Sequence, residues 1–114
     1  MEDCIFCKIV SGGISSQRVY EDSQVLVIRD INPQAPVHLL LMSKKHIASA
    51  LDVSEADVPL IVRIMVVASQ LARKEGLAER GFRLLTNVGR EGGQSVPHLH
   101  FHLIGGRQMS WPPG

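Results

Sequence analysis

The chain has 114 residues, of which 45% are hydrophobic and 20% charged, and its formal net charge is +1. This composition is typical of one globular domain over residues 1–114 and excludes a disordered chain. The near-neutral charge, without any run of like charge, argues against a nucleic-acid-binding surface. No segment has the length and apolarity of a membrane helix or a signal peptide, so we expect a cytoplasmic protein that binds no membrane.

The first half of the chain predicts one short helix and three strands. The segment CIFCKIV has apolar residues at helical spacing, and Gly12 with Gly13 ends the helix. RVYEDSQVLVIRDI predicts two strands joined at residues 21–23. The second of these is apolar at every position over residues 25–28, so we expect it to be covered on both faces. VHLLLM predicts a third strand that ends at Ser43.

The second half predicts a long helix and two further strands. The helix covers residues 54–75, where Ser54 and Asp57 resemble a capping box and Pro59 places the start of regular helix near residue 58. Its predicted apolar stripe consists of Val58, Ile61, Val62, Met65, Ala68 and Ala72. Gly76 ends the helix, and FRLLTNV and HLHFHLI predict the fourth and fifth strands. This order of elements predicts an α+β fold with an antiparallel sheet.

Three histidines alternate with apolar residues in the predicted fifth strand. Side chains of a strand point to opposite faces in turn, so His98, His100 and His102 share one face, with Cα atoms spaced by roughly 6.5–7 Å. A helix would scatter the three rings. Two interpretations follow: the imidazoles bind a metal ion, or one of them is a nucleophile whose neighbours set its tautomer and move protons.

Two short motifs bear on this choice. The loop Gly92-Gly93-Gln94-Ser95 offers backbone N–H groups, an amide and a hydroxyl, which suits a phosphate held over the histidine strand. Cys4 and Cys7 form a CxxC pair, which alone is a weak indication of zinc, because two more ligands are needed. Outside the pair His100 and His102, the remaining histidines are His38, His46 and His98.

HLHFHLI fits the signature His-φ-His-φ-His-φ-φ, in which φ is apolar. Together with INPQAPVHLLLMSKKHI and GGRQMSWPPG, it makes the chain resemble the Hint branch of the histidine triad (HIT) superfamily over nearly its whole length. The resemblance implies a HIT-like fold with an antiparallel sheet of about five strands, a short N-terminal helix and one long helix. It also implies a homodimer with a continuous sheet.

The resemblance assigns roles to four histidines. His100 attacks the α-phosphorus of a nucleotide, and water hydrolyses the resulting nucleotidyl-histidine. His102 assists proton transfer at the phosphate. His38 on the third strand orients His100 or its neighbours, and His98 either handles protons or binds zinc.

The resemblance also implies a set of nucleotide-binding residues. Asp30 accepts the ribose hydroxyls, and Trp111 in the C-terminal tail shapes leaving-group specificity near the partner's active site. The base, phosphate and leaving-group positions are Ile5, Phe6, Ile9, Ile28, Ile31, Asn87, Gly93, Gln94 and Ser95.

In relatives that carry the CxxC pair, the resemblance implies a structural zinc ion on Cys4, Cys7, His46 and His98. The chemistry itself then requires no cofactor, and the metal braces the strand that carries His100. The expected function is hydrolysis of purine nucleoside 5′-phosphoramidates of the AMP or GMP type at the P–N bond. The alternatives are a dinucleoside polyphosphate hydrolase, a zinc hydrolase with the three triad histidines as ligands, and a non-catalytic nucleotide-binding interaction module.

Overall fold

The computed structural model describes residues 3–114. Its helices and strands, in chain order, are α1 (Ile5–Ser11), β1 (Arg18–Glu21), β2 (Val25–Arg29), β3 (Val37–Ser43), α2 (Val58–Lys74), β4 (Phe82–Leu85) and β5 (His100–Gly105). Two 3-10 turns, Ala50–Asp52 and Glu55–Asp57, connect β3 to α2. Among these described helices, none is both long and apolar enough to cross a membrane.

The five strands form one sheet in the order β1-β2-β3-β5-β4, and every neighbouring pair is antiparallel. The predicted α+β fold is therefore confirmed. The register of β3 and β5 pairs Leu40 with His102 and His38 with Ile104. Because paired residues share a face of the sheet, His38, His100 and His102 lie on the same face.

A helix covers each face of the sheet. α2 packs against one face, where Leu99 and Leu103 of the histidine segment join the larger core cluster. α1 packs against the other face, through Phe6 and Ile9. β2 and β3 are consequently buried on both sides, as predicted for β2. The histidines lie on the α1 side of the sheet, at the edge of the smaller core.

Both helix ends follow the sequence signals. The carboxylate of Asp57 accepts a hydrogen bond from the backbone N–H of Ser54 at 3.0 Å, which completes the capping box before α2 begins. Gly12 and Gly76, with φ of 88° and 78°, adopt the left-handed conformation that ends α1 and α2.

The two strands around the glycine loop are shorter than predicted. β4 stops before Thr86, whose hydroxyl donates to the carbonyl of His100 at 2.6 Å. β5 begins at His100 and not at His98, since the N–H of Leu99 bonds to the carbonyl of Ile47 outside the sheet. The side chains nevertheless still alternate. Leu99 faces the larger core, and His98 points to the opposite side of the chain.

The predicted apolar stripe of α2 is correct at Ala68 and Ala72, which face the sheet, and wrong at the three positions Val58, Val62 and Met65. The residues that face the sheet are Leu60, Ile64, Val67, Ala68, Leu71 and Ala72. Val58, Val62 and Met65 of the predicted stripe are exposed. The helix carries apolar residues on two faces, and periodicity alone does not show which face meets the sheet. A second apolar face of α2 is therefore open to solvent in the single chain.

Adjacent substitutions in α2 test the corrected register. Ile64 is 0% exposed and Met65 is 39% exposed. Ile64→Ala should lower the free energy of unfolding by about 2–5 kcal/mol, because it leaves a cavity in the core. Met65→Ala should cost less than Ile64→Ala, because removal of its side chain leaves no cavity in the core of the chain. Chemical denaturation of both variants measures the difference, and a larger loss in Met65→Ala would contradict the register.

Candidate active site and metal centre

His100 is buried beneath α1, with 5% of the residue exposed. The edge of the Phe6 ring packs against it, with ring centroids 4.8 Å apart. The Nδ1 atom lies 2.6 Å from the backbone carbonyl oxygen of His98. A carbonyl only accepts hydrogen bonds, so Nδ1 carries the proton and Nε2 holds the free lone pair. This tautomer is the one that a nucleophilic Nε2 requires.

A second chain of hydrogen bonds sets the tautomer of His102. The backbone N–H of Gln34 donates to Nδ1 of His38 at 3.0 Å, so the proton of the neutral His38 ring is on Nε2. That N–H donates to Nδ1 of His102 at 2.9 Å. His102 therefore presents an N–H at Nε2, and its ring lies 5.1 Å from the His100 ring.

Burial keeps these rings neutral. Desolvation lowers the pKa of His38 and His100, and the Asp30 carboxylate only partly opposes this effect. The pKa of His102 is lowered to about 4, first by burial and then by repulsion from the neighbouring His100 and His38. At neutral pH the free site therefore holds uncharged imidazoles, one with a lone pair and one with a donor.

By distance alone, Asp30, His38 and His102 could hold a metal ion, since their ligand atoms lie within 4.8 Å of one another. The hydrogen bond from Gln34 argues against it. It occupies Nδ1 of His38, so Nε2 carries the proton and has no lone pair for a metal. Two clusters of side chains within residues 3–114 could hold a metal ion, and neither contains all three triad histidines. This arrangement argues against the zinc hydrolase alternative.

An apolar cavity of about 180 Å³ opens beside the histidines, between α1 and β2. All six residues predicted to hold the base and ribose line it: Ile5, Phe6, Ile9, Ile28, Asp30 and Ile31. Asp30 stands at the polar end, with one carboxylate oxygen 3.4 Å from Nε2 of His38. Ile31, which is 101% exposed, forms the outer rim.

The glycine loop is held in a tight conformation. A Cβ atom on Gly92 would lie 2.2 Å from the backbone oxygen of Val88, so no larger residue fits there. The Asn87 amide donates to the carbonyl of Gly92 at 2.7 Å. The Gln94 amide donates to the carbonyl of Ala48 at 2.7 Å. Asn87 and Gln94, two of the four predicted phosphate and leaving-group positions, therefore brace the loop. The other two, Gly93 and Ser95, are exposed on it.

Cys4, Cys7, His46 and His98 converge on a second site, on the other side of His98 from the His100 ring. Their four ligand atoms lie within 4.8 Å of one another. Nδ1 of His98 is 3.2 Å from Sγ of Cys4 and 3.6 Å from Sγ of Cys7. Nδ1 of His46 is 3.2 Å from Sγ of Cys7 and 3.2 Å from Nδ1 of His98.

These distances fit a tetrahedral zinc ion. Zinc–sulfur and zinc–nitrogen bonds of about 2.3 and 2.0–2.1 Å place ligand atoms roughly 3.3–3.8 Å apart. Nε2 of His98 lies 2.6 Å from the carbonyl oxygen of Ser43, which fixes its proton there and frees Nδ1 for a metal. The donor set, its spacing and its outer hydrogen bond therefore suit zinc, and the carbonyl of the same His98 holds His100.

The tail that carries Trp111 lies apart from the cavity of its own chain. Trp111 is 82% exposed. The guanidinium of Arg83 donates to the carbonyl of Ser110 at 2.7 Å and holds the tail beside β4. Within the described chain, Trp111 therefore does not line the apolar cavity beside the histidines.

Three residues that contribute to the site were not predicted from the sequence. Gln34 orients His38 through its backbone, so its side-chain identity carries no signal. Thr86 fixes the carbonyl of His100 and was assigned to a strand. Ser16 lines the nucleoside cavity, and its hydroxyl is the buried side-chain polar atom without a partner in residues 3–114. Only Thr86, a β-branched polar residue at a strand end, offered a pattern to detect.

Comparison with known proteins places this geometry in a family. Residues 11–109 match the HIT domain. A 14 kDa zinc-binding protein of Brassica juncea is 49% identical over 98% of this chain and 100% of its own length. The adenylylsulfatase HINT1 of Arabidopsis thaliana is 49% identical over 96% of this chain and 76% of its own length.

A solved structure agrees with these sequence matches. The HIT family hydrolase of Legionella pneumophila is 54% identical and superimposes with a TM-score of 0.97, over 98% of this chain and 100% of that one. The two structures share a five-stranded antiparallel sheet with one helix on each face, and this fold defines the class. The chain belongs to the HIT family, as the sequence motifs predicted.

The buried state of His102 predicts how stability depends on pH. Its folded pKa is about 4, against about 6.5 for an unperturbed histidine. Between these values the unfolded chain binds a proton that the folded chain does not. The free energy of unfolding should therefore fall as the pH drops from 6.5 towards 4, by about 1.4 kcal/mol for each pH unit.

Urea denaturation at a series of pH values measures this slope. The His102→Gln variant serves as the control, because it keeps the other histidines and removes the ring whose pKa is lowered to about 4. Its slope should be shallower than that of the wild type. Equal slopes would contradict the assignment of a neutral, buried His102.

Proposed function

We propose that this chain is a purine nucleoside phosphoramidase, carried by a single HIT domain over residues 1–114. The observation that supports it most is the 2.6 Å contact between Nδ1 of His100 and the carbonyl of His98. It leaves a neutral Nε2 with a lone pair, beside an N–H of His102 and a nucleoside-sized apolar cavity. The matched HIT family hydrolase supports hydrolysis as the general reaction.

In the first step, the lone pair of His100 Nε2 attacks the α-phosphorus of the bound phosphoramidate. The negative phosphate beside His102 favours its imidazolium form, and Asp30 can then accept the His38 N–H instead of His102. The P–N bond breaks, the electron pair stays on the amine nitrogen, and the imidazolium of His102 gives that nitrogen a proton. The product is a nucleotidyl group on His100 and a free amine.

In the second step, water attacks the phosphorus of the nucleotidyl-histidine. Neutral His102 takes the proton of the water, and the bond between phosphorus and His100 Nε2 breaks. His100 leaves as a neutral imidazole, because Nδ1 keeps its proton throughout on the His98 carbonyl. The nucleoside 5′-monophosphate is released and both rings return to their starting forms.

The remaining predicted residues divide between nucleoside and phosphate. We assign the base to the apolar walls of the cavity, formed by Ile5, Phe6, Ile9 and Ile28. Asp30 is suited to accept both ribose hydroxyls, because a carboxylate offers two acceptor oxygens. The exposed hydroxyl of Ser95 is suited to donate to the phosphate. Gly93 belongs to the tight turn below it, since its backbone N–H bonds to the carbonyl of Arg90 at 3.0 Å.

We further propose that Cys4, Cys7, His46 and His98 hold a structural zinc ion. When bound, the ion supplies rigidity and no chemistry, because it occupies Nδ1 of His98 and removes that ring from proton transfer. The name of the Brassica juncea relative, a zinc-binding protein, supports this assignment. Two free cysteines are typical of a reducing compartment, which supports a cytoplasmic location.

We also propose that two copies pair as a homodimer with a continuous sheet. β4 lies at one edge of the sheet and so has free backbone hydrogen-bonding groups on one side. The helix α2, which precedes β4 in the chain, exposes an apolar face that could also be covered by a second copy. This face consists of Val58, Val62, Met65 and Val66. Such a dimer would bring each Trp111 towards the neighbouring active site.

Replacing the nucleophile separates catalysis from binding. His100→Ala should abolish hydrolysis of an adenosine 5′-phosphoramidate, because no other ring presents a free Nε2 lone pair in the cavity. AMP binding, measured by calorimetry, should change by less than about tenfold, since the apolar walls and Asp30 remain.

The wild-type enzyme, quenched during turnover, should carry a nucleotidyl group on His100 in intact-mass and peptide analysis. Arg73→Gln, at the exposed end of α2, provides a control outside the active site and should still form this adduct. Full activity in His100→Ala would contradict the proposed function.

Removing one thiol tests the metal site. Wild-type protein should contain about one zinc ion per chain, and Cys7→Ser should lose most of it, because serine is a poor zinc ligand. Elemental analysis and the unfolding temperature with and without a chelator measure both effects. His38→Gln is the matched control, since its ring belongs to the other histidine cluster. Wild-type zinc content in Cys7→Ser would contradict the site.

A charge on the exposed face of α2 tests the dimer. The mass of the wild type in solution, measured by light scattering, should be that of two chains. Val62→Glu should shift it to one chain, because the carboxylate would be desolvated at the interface. Leu51→Glu changes an exposed apolar residue outside α2 and should stay dimeric. A monomeric wild type would contradict the proposal.

A further inference from the structure

Three arginines line a cavity of about 230 Å³ between the start of β4 and the C-terminal tail. They are Arg80, Arg83 and Arg107, and the other lining residues are uncharged. Elsewhere in residues 3–114, Arg18, Arg29 and Arg63 each contact a carboxylate. None of the three cavity arginines has such a partner within the described part of the chain. The cavity is therefore a concentration of positive charge that no carboxylate of the described chain neutralises.

The cavity arginines keep most of their donors. Arg83 gives one N–H to the carbonyl of Ser110 at 2.7 Å. Arg107 gives one to the carbonyl of Gln34 at 2.9 Å and one to that of Gln108 at 3.2 Å. A guanidinium has five N–H donors, so each group can still bind a bidentate acceptor. The backbone contacts fix two of the three side chains in advance and lower the entropic cost of binding.

The cavity lies next to the proton donor of the active site. Leu85 of β4 pairs with His102 of β5, and Arg83 pairs with Ile104. Arg83 and His102 are therefore diagonal neighbours on the same face, with Cβ atoms roughly 7–8 Å apart. Arg107 binds the carbonyl of Gln34, whose N–H orients His38. The cavity that Arg83 and Arg107 line therefore lies on the β4 side of His102, the side on which a protonated leaving group would depart.

The nucleoside cavity lies on the opposite side of the histidines. Its walls come from α1 and β2, whereas the arginine cavity begins at β4. β2 and β4 are separated by β3 and β5 in the sheet. A substrate bound with its base against α1 would therefore extend its leaving group across His102 towards β4.

We propose that Arg80, Arg83 and Arg107 form a subsite for a carboxylate at the far end of the leaving amine. The inference rests on the proposed phosphoramidase function and names its preferred substrate class, the phosphoramidates of amines that carry a distal carboxylate, such as ω-amino acids. Arginine matches a carboxylate with two parallel hydrogen bonds, which a neutral amine lacks. The separation of Arg83 from His102 suits a carboxylate several bonds away from the scissile nitrogen.

Two substrates that differ only in this carboxylate test the subsite. They are the adenosine 5′-phosphoramidates of 6-aminohexanoic acid and of hexylamine. The wild type should favour the carboxylate compound in kcat/KM by about tenfold, the order expected for one charge-assisted pair. In Arg80→Gln and in Arg83→Gln, the ratio of the two kcat/KM values should fall towards one.

The ratio separates recognition from a structural effect, because misfolding would slow both substrates equally. Arg73→Gln removes the same charge from the exposed end of α2 and should keep the wild-type ratio. Arg80→Lys should restore part of the preference, since it returns a charge without the planar fork. A ratio near one in the wild type, or an unchanged ratio in both cavity variants, would overturn the subsite.

Failure of the proposed function is distinguishable from failure of the subsite. If the wild type hydrolyses neither compound, the function is wrong, and calorimetry with the same two compounds then decides the subsite. Tighter binding of the carboxylate compound that is lost in Arg83→Gln would support it. Equal binding of both compounds to the wild type would overturn it.

Discussion

The hydrogen bond from Nδ1 of His100 to the backbone carbonyl of His98 is the constraint on which the rest of the site depends. It selects one tautomer and points the lone pair of Nε2 away from the backbone. The carbonyl that accepts it belongs to a residue whose ring is itself fixed by Ser43 and two thiols. The order of the active site is therefore inherited from the Cys–His cluster beside it, through a single residue.

The sheet separates the two proposed binding cavities. A strand order of β1-β2-β3-β5-β4 places the nucleoside walls and the arginine cavity on opposite sides of the histidines. The backbone of Gln34 connects both sides, since its N–H orients His38 and its carbonyl accepts from Arg107. Binding at either end thus acts on rings that the fold has already oriented, which reduces the rearrangement required for reaction.

The sequence predicted those features that hydrophobic periodicity and residue type determine. The alternation of His98, His100 and His102 with apolar residues placed the rings opposite the core, and the α+β order of elements was correct. The face of α2 that meets the sheet was not predictable, because Ile64 and Met65 lie on two equally apolar faces. The tautomers of His100 and His102 depend on backbone groups, which carry no side-chain signal. The cysteine–histidine set came from family resemblance, since spacing alone left His38 as an alternative.

Nitrogen NMR of the ring of His100 tests the central claim most directly. In protein labelled with ¹⁵N at histidine, near neutral pH and without substrate, the proton of His100 should be on Nδ1. Nε2 should show the chemical shift of an unprotonated nitrogen, and the trapped nucleotidyl intermediate should carry phosphorus on Nε2. A proton on Nε2 in the free protein, or phosphorus on Nδ1 in the intermediate, would contradict the account.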